Sequence, residues 1–130
     1  MSSSRRLPDI EALHTFHKTW AWVAIVGNAL AGIVALVAWR APRLRGRWVW
    51  ACTVAAEVAL LIQVGTGAAL VSSKEYTVPR FHMFYGFVGF ITVGIAYSSR
   101  DSMRGRLEMF YGIIGLFLMG VGIRAVLQVQ

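Results

Sequence analysis

The sequence predicts an all-α integral membrane protein, an up-down bundle of four transmembrane helices, on three observations. The chain of 130 residues is 57% apolar and 15% charged, against roughly 45–50% and 25% in ordinary soluble domains. Its charges gather at the ends of four apolar runs, residues 19–39, 48–73, 81–99 and 109–123, with Glu57 the one formal charge inside any of them. Crossing ~30 Å of hydrocarbon takes roughly 20 apolar residues, and the fourth run is lengthened by Arg124 and a mostly apolar end. This pattern excludes a soluble enzyme domain and a large extramembrane domain. It also excludes a disulfide scaffold, because the single cysteine, Cys52, lies inside a run.

Helix one is expected at about residues 13–39, ending ahead of Pro42 because proline disfavours helix in the residue before it. It is expected to be retained. Its run exceeds the ~7–15 residue core of a signal peptide, and Asp9, Glu11, His14 and His17 separate it from Arg5 and Arg6. Helix two follows at about 48–71, and a polar connection ending in Pro79 leads to helix three at about 80–97. A basic turn then precedes helix four at about 106–127. Tryptophans and tyrosines fall near the helix ends, as aromatic belts require. Met83-Phe84-Tyr85-Gly86 recurs as Met109-Phe110-Tyr111-Gly112, and Gly89 and Gly94 recur as Gly115 and Gly120. The repeat reads as a helix start with a headgroup aromatic and a glycine packing face.

The net charge of +7 does not point to nucleic acid. The basic residues sit at helix ends, where they face lipid headgroups. The partners expected are the bilayer and a larger membrane complex or further copies of the chain. Arg40, Arg43, Arg45 and Arg47 crowd one short loop without an acid, the signature of a cytoplasmic loop. Both termini are therefore expected outside, with loops 40–47 and 98–106 cytoplasmic, in a bacterial plasma membrane.

Three histidines, His14, His17 and His82, fall on the outer side of that topology. His17 opens helix one and His82 opens helix three, so two parallel helices bring imidazoles in at comparable depth. Ala21, Ala24 and Asn28 follow His17 on one face, and Gly86, Gly89 and Val93 follow His82 at the same offsets. Eleven residues at 3.6 per turn return within about 20° of the starting direction. Such strips either let helices touch or leave a flat slot that a haem with two axial imidazoles would fill. His17 and His82 are the candidate metal ligands, and haem b is the candidate cofactor. Zinc lacks a third and fourth ligand at usable spacing. Arg80 and Arg124 lie on the same side and are candidates to answer haem propionates, or simply to snorkel.

Glu11-Ala-Leu-His14 and His17-Lys18 open a helix ending Ala38-Trp39-Arg40. Leu60-Leu61-Ile62-Gln63-Val64-Gly65-Thr66-Gly67-Ala68 follows, and then His82 after Pro79. Over about residues 11–89 this resembles one four-helix half of the haem A synthase family. The resemblance implies an all-helical haem bundle with ligands on the outer side. The chain departs from that family in having one bundle and only Cys52, so the synthase activity is not carried over. Glu11 with His14 meets the family's E-x-x-H, while His17 is preferred as ligand because His14 lies about 4.5 Å further out on a continuous helix.

Glu57 is expected near the midplane, with Asn28 and Thr92 arriving at its level from neighbouring helices. A carboxylate there costs at least ~2.5–3.5 kcal/mol unless protonated, paired or wet. The expected layer is a neutral Glu57 bonded to Asn28, or else a proton relay. Three functions follow. The first is a bis-histidine b-type haem protein in electron transfer or haem handling, within a respiratory-type complex. The second is a non-catalytic accessory or assembly subunit with structural histidines. The third is a small proton-coupled transporter using Glu57.

Overall fold

The computed structural model describes residues 3–129, with side chains from residue 7 onward, so those of Arg5 and Arg6 lie outside the described residues. Four helices, α1 (Ser3–Arg40), α2 (Arg47–Ser73), α3 (Arg80–Ser98) and α4 (Leu107–Leu127), are joined by short connections, the first carrying a 3-10 turn at Pro42–Leu44. No strand occurs among the described residues. All four helices are long and apolar enough to span a bilayer. The chain is an all-α integral membrane protein.

Helices α2, α3 and α4 start and stop within one or two residues of the sequence expectation. Helix α1 does not. It begins at Ser3 rather than near residue 13 and runs for 38 residues, about 57 Å at 1.5 Å per residue. Pro8 is its only internal proline; at the sixth residue it removes one backbone bond and crowds the carbonyl four residues back, a cost confined to the N-terminal end of the helix. The polar residues beyond it are adequate helix formers on an exposed face, so nothing stops the helix. The far end is closed by Arg45, whose guanidinium donates to Ala38 O at 3.0 Å and Trp39 O at 2.8 Å. A cation on the last carbonyls suits the negative end of the helix dipole. Lys74, in the left-handed region at φ 61°, ends α2.

Helix α1 packs chiefly on α4 and α2, α3 packs on α4, and the α2–α3 seam is the least populated. The α1–α4 seam is backbone against backbone. A Cβ added at Gly115 would stand 2.7 Å from Asn28 O and 2.8 Å from Gly32 Cα, and one at Gly32 would stand 2.8 Å from Gly112 O. Small residues let membrane helices approach this closely, where dispersion replaces the hydrophobic effect that lipid cannot supply. The sequence repeat is therefore used unequally. Gly112 and Gly115 of α4 meet α1, whereas their counterparts in α3 meet less: Gly86 has nothing within 4 Å, and Gly89 touches only Leu60 and Val121 side chains. Gly94 and Gly120 are both free of neighbours. Backbone-to-backbone glycine packing, expected of both helices, occurs at Gly112 and Gly115 of α4, while α3 contributes only the buried Gly89 against side chains. In the middle of the bundle Leu60, Val93 and Leu118 form a buried cluster, and nearer the arginine-rich end Ala35, Ala38 and Val49 form another.

Candidate functional site: an imidazole pair at one end of the bundle

Helices α1 and α3 lie across the bundle from one another, each packed on α4 and α2. Their histidines nonetheless meet. The imidazoles of His17 and His82 have centroids 6.1 Å apart and planes at 80°. Both rings are half-buried, and each is held by a helix other than its own.

The partners of His17 come from α2. Thr66 donates its hydroxyl proton to Gln63 O at 3.0 Å, so its oxygen is left to accept from His17 Nδ1 at 2.9 Å. The Gln63 amide donates to His17 O at 2.8 Å and stands 3.4 Å from His17 Nε2. Gly67 completes the seat, because a Cβ there would come within 3.0 Å of His17 Cε1. His82 is held by α4. Its Nδ1 lies 2.8 Å from Ala125 O, and a carbonyl only accepts, so the proton is on Nδ1. Both imidazoles are thus fixed as Nδ1–H tautomers; the Nε2 lone pair of His82 has no donor among the described residues, while that of His17 faces the Gln63 amide at 3.4 Å. That is the state in which histidine binds metals, its other nitrogen tied to a hydrogen-bond acceptor.

His14 does not join them. Its ring stacks on Tyr76 of the α2–α3 connection at 4.1 Å and 26°, which anchors that connection to α1. Arg80 and Arg124 flank the site in sequence, two residues before His82 and one before Ala125. Both are exposed, and neither forms an ion pair among the described residues. No group of three His, Cys, Asp or Glu converges among the described residues.

The slot expected beneath the histidines is not continuous. Ala21, Ala24 and Asn28 are buried where α1 packs on its neighbours, and Trp20 Nε1 donates to Ala59 O at 2.8 Å across the α1–α2 seam. At the level of Gly89 and Val93 the centre is filled by Leu60 and Leu118. The space below His82 is taken by large side chains of α2 and α4, while the strip below His17 is closed by backbone and small residues of the same two helices, which a reading of α1 and α3 alone misses.

The expected polar layer is also revised. Asn28 Nδ2 donates to Ala24 O at 2.8 Å and to Ala56 O at 3.1 Å, and Thr92 donates to Val88 O at 2.7 Å. Both are satisfied by backbone carbonyls. Glu57 Oε1 is buried without a partner. Asn28, not Glu57, links α1 to α2, and the three residues form no bonded network.

Gln63, Thr66, Gly67 and the Ala125 carbonyl were not assigned roles by sequence reasoning. The first three recur at i, i+3 and i+4, one face of a helix, which was the available signal. A carbonyl leaves no mark in a sequence. Comparison with protein-family models, with curated proteins and with solved structures gives no match.

Proposed function

We propose that this chain is a small membrane haem protein acting in electron transfer or haem handling within a respiratory-type membrane complex. The observation that carries the reading is the imidazole pair, two Nδ1–H tautomers 6.1 Å apart between centroids. Rings this close could each offer a nitrogen to one metal ion at ~2.0–2.1 Å. Gln63 Oε1, of the amide beside His17, is a buried acceptor with no donor, a further sign that the site is incomplete as a purely structural network. His17 and His82 would hold the iron of haem b through Nε2, and Arg80 and Arg124 are free to face its propionates. Haem held there would supply a one-electron couple.

The reading is tested by a reduced-minus-oxidised spectrum of the purified protein with pyridine haemochrome quantitation. Sharp low-spin α and Soret bands are expected, and His82→Ala or His17→Ala should abolish them while His14→Ala leaves them intact. A colourless preparation from haem-replete cells sinks the proposal. The filled centre at Leu60 and Leu118 and the 3.4 Å contact of Gln63 with His17 Nε2 favour a second reading, an accessory subunit whose histidines tie α1 to α2 and α3 to α4. A colourless protein co-purifying with a large membrane complex supports that one.

The proposed setting is a bacterial plasma membrane with both termini outside. Its support is the arginine density of loop 40–47, four arginines without an acid. Cysteines introduced at Ser72 and Ser102 check it. Ser72 should label from outside and Ser102 only after permeabilisation; the reverse pattern puts the imidazole pair on the cytoplasmic side.

A further inference from the structure

The loosest seam of the bundle holds a second polar feature, unrelated to the histidines. Between α2 and α3 lies a groove of about 600 Å³, lined among others by Val54, Glu57, Val58, Phe90, Gly94 and Tyr97. That volume is within the ~300–1,000 Å³ usual for small-molecule sites. The walls are apolar apart from Glu57 near the middle and the Tyr97–Ser98 end. Tyr97 is already engaged by the Arg100 guanidinium, 3.9 Å above its ring, and Ser98 donates to Ile95 O at 3.1 Å. Glu57 is the one group left without a partner. Its Oε1 is buried and unbonded, and it forms no ion pair among the described residues. The nearest cation on its own helix, Arg47, is ten residues away, about 15 Å along the axis. Gly94 faces the groove with nothing within 4 Å of where its Cβ would stand, so the chain itself leaves the space open.

We propose that this groove is a binding site for lipophilic amines, entered from the lipid. Two requirements select that chemistry. A buried carboxyl oxygen with no partner calls for a donor, and a buried charge is tolerated only when paired. A neutral alkylamine dissolved in the bilayer meets both without exchanging a proton with water. Its nitrogen lone pair takes the proton of the Glu57 carboxyl, so the O–H bond breaks as an N–H bond forms. The ammonium then donates back to the carboxylate while its chain lies along Val54, Val58 and Phe90. An alcohol of the same length brings a donor but cannot accept the charge, so its affinity is lower.

The test uses the full chain in phosphatidylcholine nanodiscs and tritiated decylamine in equilibrium dialysis, with empty nanodiscs subtracted for partitioning. Saturable uptake near one decylamine per chain is expected, and decanol should compete at least tenfold less well. Glu57→Gln should weaken uptake at least tenfold. Gly94→Leu fills the groove without touching the carboxyl and should weaken it similarly, so the question stays open to an answer even if one variant fails to assemble. Absence of saturable uptake overturns the proposal. So does decanol competing as well as unlabelled decylamine, or uptake unchanged in an assembled variant. The result does not depend on haem, and a colourless protein is as good a sample as a coloured one.

Discussion

The α1–α4 seam and the α2–α3 seam are built from the same kinds of residue and end up as opposites. Both draw on glycines of the same repeated motif. In the first, Gly32, Gly112 and Gly115 bring two backbones to within van der Waals reach, and nothing else fits. In the second, Gly94 meets open space, Phe90 and Tyr97 stand partly exposed, and a groove remains with an unpartnered carboxyl in it. A glycine allows close approach but does not cause it. What decides the outcome is whether the facing helix offers bare backbone at the same level, as α1 does at Gly32, or bulky side chains, as α2 does with Glu57, Val58 and Leu61.

The sharpest way to break this contrast is one substitution made at each seam. Gly115→Ala sets a methyl against Asn28 O and Gly32 Cα and should lower stability by about 2 kcal/mol, the usual cost of overpacking. Gly94→Ala meets nothing and should leave stability unchanged or raise it by up to about 1 kcal/mol, alanine being the better helix former. Thermal unfolding in detergent reads both, and equal losses would erase the difference between the seams.

A smaller effect separates the two polar residues near the midplane. Asn28→Leu removes the bond to Ala56 O that ties α1 to α2 and should cost on the order of 1 kcal/mol. Glu57→Leu should cost less than about 0.5 kcal/mol, since no hydrogen bond is lost and an apolar side chain suits an apolar groove. If Glu57→Leu matches the loss at Asn28, the carboxyl holds the bundle together through a partner, and the α2–α3 seam is not the permissive one.

The fold was legible because its cause is local. Runs of apolar residues between charged ends make helices that must cross lipid, and Pro42, Pro79 and the basic turn after Ser98 punctuate them. The start of α1 was misplaced for an equally local reason. Polar residues from Asp9 to His17 look like a helix approach, but no residue there forbids helix, and a helix under way continues. The site was legible in part. That His17 and His82 enter from the same end follows from topology and spacing. That Thr66 and the Ala125 carbonyl would orient them does not, because those contacts join residues more than forty positions apart.

What the sequence determined by itself is therefore the class of protein, the number of its spans, and which ionisable residues are placed in lipid. Only the tertiary structure decided their company. It put His14 on Tyr76 and not beside His17, filled the strip under the histidines with Leu60 and Leu118, and paired Asn28 with backbone while leaving Glu57 alone. The physical reason is the same in each case. Within lipid every apolar face is equally content to meet a tail or another helix, so hydrophobic pattern sets which segments insert and says little about which faces meet. Those choices fall to steric fit between backbones and to the few hydrogen bonds that can form across them.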